Sequence, residues 1–272
     1  VLEEKGSDFV YPQKPSMLTG GYTSYDYYKR RIAGSVTPEQ GSPEWLSQRV
    51  NNVTGSVAKK LLSKKGSDVM AASLASGRLG LDEDISNAYT KQGNDYEGKV
   101  KDTFLASPEG KGIHWEEAFY ETHEGNSRFG ATPDGKLFNA DGSSAGLAEF
   151  KLFGDKHFSK GKEALTKEIN PQVQWQMYVT GEKSTQVTWL NSETNKYHHA
   201  VVEADPKLQN RMAATARASI ETADQLQSAA EVQKLKLKYG GAKAASPENK
   251  DGQTEAFKQK EVEAEMPMEP FR

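Results

Sequence analysis

The chain has 272 residues, which suits one large domain with appendages or at most two domains. It contains no cysteine, which excludes disulfides, thiolate catalysis and Cys-ligated zinc and fits a reducing compartment. The formal net charge of −3 and the mean hydropathy of −0.77 describe a polar chain and argue neither for nor against nucleic acid. Without a long apolar run or a basic, apolar leader, we expect a cytoplasmic protein that does not bind membranes.

The first half of the sequence predicts an irregular arm followed by helices. Residues 1–40 contain prolines, glycines and a group of tyrosines, so we expect an N-terminal arm that packs on the core or on a neighbouring subunit. A short helix is predicted to begin at Pro43, and further helices are predicted over 54–62 and 87–105, the last from apolar residues at helical spacing. Residues 63–85 are rich in glycine and serine and are interpreted as a flexible loop.

The second half predicts a sheet with two further helices. The predicted strands are 113–121, 136–138, 146–152, 185–190 and 197–203. A turn-rich passage is expected over 129–135, and helices over 171–180, ending at Gly181, and over 206–227. This order indicates a mixed α/β core. We therefore expect a folded domain over 41–228 and a polar, flexible C-terminal tail over 229–272.

One group of residues suggests chemistry. Residues two apart on a strand point to the same face, so Glu149 and Lys151 project together while Phe150 points to the other layer. Asp134 lies at the mouth of the preceding strand, close enough to meet them. Two carboxylates form an oxygen-rich site of the kind that Mg²⁺ prefers, and a neighbouring lysine can orient or deprotonate water or offset negative charge. A Glu-x-Lys pair alone is more often a surface charge pair, so its context must decide.

That context is a resemblance spread over four segments in order. They are 45–56 (Trp-Leu-Ser-Gln-Arg, then Val-Thr-Gly-Ser), 93–97 (Gly-Asn-Asp-Tyr-Glu), 129–151 (Phe-Gly-Ala-Thr-Pro-Asp-Gly, then Ala-Glu-Phe-Lys) and 172–180 (Gln-Val-Gln-Trp-Gln-Met-Tyr-Val-Thr). Together they resemble the phage lambda exonuclease or YqaJ-like viral recombinase family of the PD-(D/E)XK nuclease superfamily. The resemblance covers residues 43–203. It implies a restriction-endonuclease-like core, in which a central mixed β-sheet is flanked by helices.

The resemblance also implies roles for individual residues. Asp134 and Glu149 would bind one or two Mg²⁺ ions, for which Mn²⁺ can substitute, with the Phe150 backbone carbonyl as a possible further ligand. Lys151 would serve the nucleophilic water. Glu97 and Gln172 match two more positions at the active site. Arg49 and Ser56 match residues that hold the 5′-phosphate of a DNA end.

The roles of neighbouring residues are less closely specified. Gln174 is expected to point away from the active-site face, and Gln176 lies one helical turn beyond Gln172. The proline that usually follows the catalytic lysine in this family is missing, because Leu152 stands after Lys151. The family pattern therefore does not specify the backbone conformation after Lys151.

The expected function is a Mg²⁺-dependent 5′→3′ exonuclease that digests double-stranded DNA from its ends and leaves 3′ single strands for phage-type recombination. The family implies a homotrimer around DNA, a single-strand annealing partner and, for a phage protein, the bacterial host cytoplasm. Two alternatives stay open. One is an endonuclease of restriction or resolvase type, and the other is a non-catalytic protein that binds DNA ends.

Overall fold

The computed structural model describes residues 24–25, 28–29, 49–63, 65–79 and 88–239. The short helix predicted at Pro43, most of the arm and the chain beyond 239 lie outside these residues. In chain order the helices are a 3₁₀ helix over Gly55–Leu62, α1 (Gly66–Arg78), α2 (Ala88–Ala106), α3 (Asp155–Phe158), α4 (Lys162–Ala164), a π-helical turn over Leu165–Ile169, α5 (Asn170–Thr180), α6 (Pro206–Gln225) and α7 (Ala229–Tyr239). The strands are β1 (His114–Glu116), β2 (Glu121–His123), β3 (Asn126–Ala131), β4 (Gly135–Phe138), β5 (Ser144–Phe153), β6 (Ser184–Asn191) and β7 (Tyr197–Glu203).

A five-stranded mixed sheet forms the centre of the fold, in the order β1-β4-β5-β6-β7. Strands β5 and β6 pair in parallel, whereas the other neighbours pair antiparallel. Strands β2 and β3 form a separate two-stranded sheet. The predicted mixed α/β fold with a central mixed sheet is confirmed.

The two faces of β5 enter different cores. Ala148 and Phe150 pack with Val100 and Phe104 of α2. On the opposite face, Leu147 packs in a cluster that includes Val173 of α5. Strand β5 is therefore enclosed by helices on both sides, which explains why apolar residues such as Leu147 and Phe150 on its two faces are buried.

A third core lies beside the sheet and joins the 3₁₀ helix, α1, β3, α5 and α6. Its centre includes Met70, Phe129, Trp175 and Met212. The indole Nε1 of Trp175 lies 3.3 Å from the Val53 carbonyl oxygen and 3.1 Å from the Gly130 carbonyl oxygen, and it donates to both. This core anchors the segment before the 3₁₀ helix against α5.

Several predictions of local structure are correct. The helix predicted over 87–105, the strands predicted over 136–138, 146–152, 185–190 and 197–203, and the helices predicted over 171–180 and 206–227 are all present to within a few residues. Gly181 ends α5 with φ of 73°, and its N–H donates to the Met177 carbonyl oxygen at 2.8 Å. The tyrosines of the arm that the structure describes pack on the core, since Tyr28 is buried and its hydroxyl donates to the Glu117 carbonyl oxygen.

Other predictions are wrong. The predicted loop over 63–85 contains α1, whose Ala71 and Ala75 are buried in the third core. The predicted strand over 113–121 is two short strands, β1 and β2, and part of the predicted turn passage over 129–135 belongs to β3. The predicted tail begins too early, because α7 packs Val232 and Leu235 against the third core. By contrast, the helix predicted over 54–62 is confirmed, as a 3₁₀ helix over Gly55–Leu62.

No helix among the described residues is long and apolar enough to cross a membrane.

Gly146 tests the close packing of β5 on β6. Its φ is +96°, and a Cβ built there would lie 2.4 Å from the Ser184 carbonyl oxygen. We predict that Gly146→Ala lowers the free energy of unfolding by about 1–3 kcal/mol, measured by denaturant titration. The control is Gly98→Ala in α2, where an added Cβ meets nothing within 4 Å and should stabilise the helix by about 0.5–1 kcal/mol. Equal stability of Gly146→Ala and wild type would contradict the packing described.

Candidate active site

Strand alternation brings Glu149 and Lys151 to the same face of β5. The Lys151 ammonium contacts Glu149 Oε1, and Lys151 Nζ lies 4.0 Å from Asp134 Oδ2. Glu149 has no exposed surface, whereas the Lys151 side chain remains about one-third accessible (29 %). The site is therefore a buried carboxylate covered by a lysine that solvent can reach.

The backbone of the two central strands positions Asp134. Its N–H donates to the Ala148 carbonyl oxygen at 3.2 Å, and its Oδ2 accepts from the Phe150 N–H at 2.6 Å. Asp134 stands directly before β4, which pairs antiparallel with β5. This hairpin brings together two carboxylates that lie 15 residues apart in the sequence.

Helix α5 supplies amide groups to Glu149. Gln172 Nε2 donates to Oε1, and Gln176 Nε2 donates to Oε2 at 2.8 Å. The structure thus places Gln172 against the Glu149 carboxylate and adds Gln176, whose role the sequence left open. Gln174 points away, as predicted, and its Nε2 donates to the Glu203 carbonyl oxygen at 2.7 Å.

Glu97 of α2 belongs to the same electrostatic group. Burial raises the pKa of its carboxyl, the nearby Lys151 opposes that shift, and the charge of Glu149 adds to it. Glu117, which the sequence did not single out, contributes in the same direction. Glu97 is therefore near enough to Lys151 and Glu149 for their charges to influence its ionisation, and its role at the active site stays a prediction.

The ionisation of the site follows from burial and from the charges of neighbouring side chains. Burial and the charge of Glu149 raise the pKa of Asp134 well above its usual value. Burial alone would lower the pKa of Lys151, but the carboxylates of Glu149 and Asp134 outweigh it and raise that pKa. Lys151 consequently keeps its proton at neutral pH in this arrangement, so it acts here through its charge and its hydrogen bonds.

This set of donors fits a hard divalent cation. Asp134 and Glu149 offer carboxylate oxygens from adjacent strands. Burial and the charge of Glu149 raise the pKa of Asp134, and a bound cation would favour its ionised form. Within the described residues there is no group of three or more His, Asp or Glu side chains placed to hold a metal ion together. Mg²⁺ needs only one or two protein carboxylates because water and substrate phosphate oxygens complete its shell.

Arg49 lies beside the turn that carries Asp134. Its Nη1 donates to Thr132 Oγ1 at 3.2 Å, and its guanidinium stands 6.0 Å from the ring centroid of Tyr120. Thr132 is two residues before Asp134, so this cation is held near the carboxylates. Thr132 and Tyr120 were not identified from the sequence, because only the fold brings them to Arg49.

Ser56 lies in the first turn of the 3₁₀ helix and is exposed. Its hydroxyl lies 3.3 Å from the Thr54 hydroxyl. The neighbouring Gly55 faces the amide-bearing side chains of α5, since a Cβ at Gly55 would lie 3.3 Å from Gln176 Cγ and 3.5 Å from Gln172 Cγ. The structure therefore places the start of this helix at the rim of the site, next to the residues that hold Glu149.

The raised pKa of Asp134 has a consequence for stability. A carboxyl whose pKa is higher in the folded state than in the unfolded state stabilises the fold at low pH, and that contribution is lost as the pH rises through the folded-state pKa. We predict that Asp134→Asn raises the melting temperature of the metal-free protein by a few degrees at pH 7.5, and that the gain shrinks towards pH 4.

Differential scanning calorimetry in EDTA measures this effect. The control is Asp141→Asn, because exposed Asp141 accepts bonds from the Ser143 N–H and hydroxyl and has a lowered pKa. No gain in melting temperature is expected there. A destabilised Asp134→Asn protein at pH 7.5 would contradict the raised pKa of Asp134.

Comparison with known proteins finds one matching family model and several solved structures that can be superposed on this chain. The model of the YqaJ-like viral recombinase domain matches residues 44–183, which is just over half of the 272-residue chain. All residues assigned above to the site and its rim lie inside this region. A comparison of the sequence with curated proteins gives no significant match.

Solved structures show a similar fold. An alkaline exonuclease (LHK-Exo) from Laribacter hongkongensis superposes with a TM-score of 0.57 at 24 % sequence identity, covering 73 % of this chain and 98 % of the exonuclease. The same exonuclease in complex with dAMP gives the same values. A phage related exonuclease from Haemophilus somnus 129PT has a TM-score of 0.46 at 14 % identity, covering 66 % of this chain and 97 % of its own.

The match to the family model runs through every segment on which the sequence resemblance depends. It includes the 3₁₀ helix, helix α2 that carries Glu97, the β4–β5 hairpin and α5. The predicted family resemblance is therefore confirmed. This chain belongs to the YqaJ-like viral recombinase domain family.

Proposed function

We propose that this chain is a Mg²⁺-dependent 5′→3′ exonuclease that digests double-stranded DNA from its ends and leaves 3′ single strands for phage-type recombination. The observation that carries the proposal is the convergence of Asp134, Glu149 and Lys151 on one face of the β4–β5 hairpin. Membership of the recombinase family and the fold shared with an alkaline exonuclease support it.

The carboxylates would hold the metal. Asp134 and Glu149 are the proposed ligands, with the Phe150 carbonyl as a further one. A bound Mg²⁺ supplies Lewis-acid activation of water and stabilises charge on the phosphate oxygens. Asp134 accepts a hydrogen bond from the Phe150 N–H, which keeps its other oxygen available for a cation.

The remaining polar side chains act around that centre. Lys151 is protonated and solvent-accessible, so it can orient the attacking water and offset negative charge that develops on the phosphate. Gln172 holds Glu149 by its amide. Glu97 is the third acid of the site, and we assign it a supporting catalytic role beside the metal.

Recognition of the DNA end is assigned to Arg49 and Ser56. A guanidinium binds phosphate through paired hydrogen bonds, and a hydroxyl with N–H groups at a helix start adds further donors. Arg49 is anchored beside the Asp134 turn, and Ser56 lies at the rim of the site. A terminal 5′-phosphate held there would place the adjoining phosphodiester at the carboxylates, which gives the reaction its polarity.

The assembly and partners follow from the family resemblance. We propose a homotrimer around the DNA, a single-strand annealing protein as partner and the bacterial host cytoplasm as the location for a phage-encoded enzyme.

Lys151 provides the first test of the chemistry. We predict that wild-type protein degrades a 5′-phosphorylated linear duplex with Mg²⁺ or Mn²⁺ and is inactive in EDTA. Lys151→Ala should lower the rate by about 10²-fold or more, because it removes a charge that stabilises the transition state. The control is Lys196→Ala, an exposed lysine in the β6–β7 turn. An unchanged cleavage rate in Lys151→Ala would contradict the proposed catalytic role of the β4–β5 hairpin.

Substrate topology separates the proposed activity from its alternatives. An end-dependent exonuclease leaves a covalently closed circular duplex intact, whereas an endonuclease of restriction or resolvase type cuts it. Binding of linear ends without cleavage in Mg²⁺ would instead indicate a non-catalytic end-binding protein.

Arg49 provides the test of polarity. We predict that wild-type protein prefers 5′-phosphate over 5′-hydroxyl ends. In Arg49→Ala the ratio of the rates on the two ends should fall by about 10- to 150-fold. That factor corresponds to the loss of one charge-assisted hydrogen bond of ~1.5–3 kcal/mol. Initial rates on the two duplexes measure it, and Arg211→Ala on the exposed face of α6 is the control. If Arg49→Ala slows both substrates equally, Arg49 does not read the 5′-phosphate.

A further inference from the structure

Gln176 is a buried amide in the middle of α5. Its side chain is 1 % exposed, and it lies one helical turn after Gln172 on the face that meets β5. Its neighbours in the helix, Trp175 and Met177, are fully buried apolar residues. An amide at such a position must form hydrogen bonds or it destabilises the fold.

The hydrogen bonds of Gln176 point to the site. Nε2 donates to Glu149 Oε2 at 2.8 Å and lies 3.5 Å from the Thr132 carbonyl oxygen. The carboxylate fixes the amide orientation, because a flipped amide would present its own oxygen to the negative charge. Gln176 thus touches the buried carboxylate and the segment that leads into Asp134.

The same side chain contacts the start of the 3₁₀ helix. The nearest neighbour of a Cβ built at Gly55 is Gln176 Cγ, at 3.3 Å. Glycine allows this approach, and the adjacent residue is Ser56. Gln176 is therefore packed between the proposed metal carboxylate and the proposed DNA-end pocket.

Filling of the core does not explain the residue. The Oε1 atom of Gln176 is buried and has no hydrogen-bond partner among the described residues. A methionine would fill a similar volume without a buried polar atom lacking a partner. Gln174, by contrast, uses both ends of its amide for structure: it donates to the Glu203 carbonyl oxygen and accepts from the Asp205 N–H.

We propose that Gln176 is a positioning residue that holds the Glu149 carboxylate in the orientation needed to bind the divalent cation. This inference rests on the proposed function, because it assigns Glu149 to the metal. Gln172 and Gln176 divide the work, since each amide holds one carboxylate oxygen. Donors to a metal-binding carboxylate set its direction, and their loss weakens metal binding without removing a ligand.

The test compares two methionine variants, Gln176→Met and Gln174→Met, with wild-type protein. Mn²⁺ binding is measured without DNA by isothermal titration calorimetry, and circular dichroism and thermal unfolding establish that each protein is folded. We expect Gln176→Met to bind Mn²⁺ about 10-fold or more weakly, whereas Gln174→Met keeps the wild-type affinity. A purely structural role would change melting temperatures and leave the Mn²⁺ affinity of both variants unchanged.

A second variant covers the case in which Gln176→Met does not fold. Gln176→Asn keeps the amide but shortens the side chain by one methylene group, so its donor no longer reaches Glu149, and the same loss of affinity is expected. The inference is overturned if the folded position-176 variants bind Mn²⁺ with the same affinity as wild-type protein. It is also overturned if none of these proteins binds Mn²⁺ detectably. If wild-type protein cleaves no DNA but still binds Mn²⁺ more tightly than the position-176 variants, the inference is supported. Only the proposed exonuclease activity is then contradicted.

Discussion

The burial of the Glu149 carboxylate constrains everything around it. An ionised carboxylate without exposed surface is very costly unless charge and hydrogen bonds replace its water. Lys151 supplies the opposite charge, and two amides of α5 supply donors to the two oxygens. These groups come from the same strand and from the helix packed on it. The helix must therefore lie on this face of β5, with its glutamines directed at the strand.

Helix α5 accordingly serves as a polar connector within an apolar interior. One face holds Glu149, another binds the Glu203 carbonyl oxygen through Gln174, and Trp175 binds the backbone of Val53 and Gly130. Each bond reaches a different element, so the helix ties the sheet to the segment that leads into the 3₁₀ helix. A shift of α5 would disturb the proposed metal-binding carboxylate and the proposed DNA-end pocket together.

Ionisation of Asp134 and of Glu97 is unfavourable in the folded protein, first because burial raises the pKa of both carboxyl groups. Neighbouring negative charge raises both pKa values further, whereas Lys151 opposes the shift. Binding sites commonly carry such a cost, since the same negative charge that destabilises the empty site strengthens its attraction for a cation. The proposed metal would complete the neutralisation that the protein's own side chains leave unfinished.

Local patterns in the sequence determined much of this protein. The alternation around Glu149 and Lys151, the stop at Gly181 and the helical spacing of Val100 and Phe104 depend on neighbours in the chain, and each is realised in the fold. The ordered segments from Arg49 to Gln172 likewise identified the family. They did so because the residues that carry the resemblance occur in the same order along the chain.

Only the tertiary structure decided the remainder. Helix α1 is rich in small residues, which are also typical of loops, and α7 has the polar composition of a solvated tail. Residues of both helices nevertheless pack in the third core. The contacts of Gln176 with Glu149, of Thr132 with Arg49 and of Gly55 with α5 join residues 27 to 121 positions apart. Spacing along a chain cannot specify such contacts, because they depend on how whole elements pack against one another.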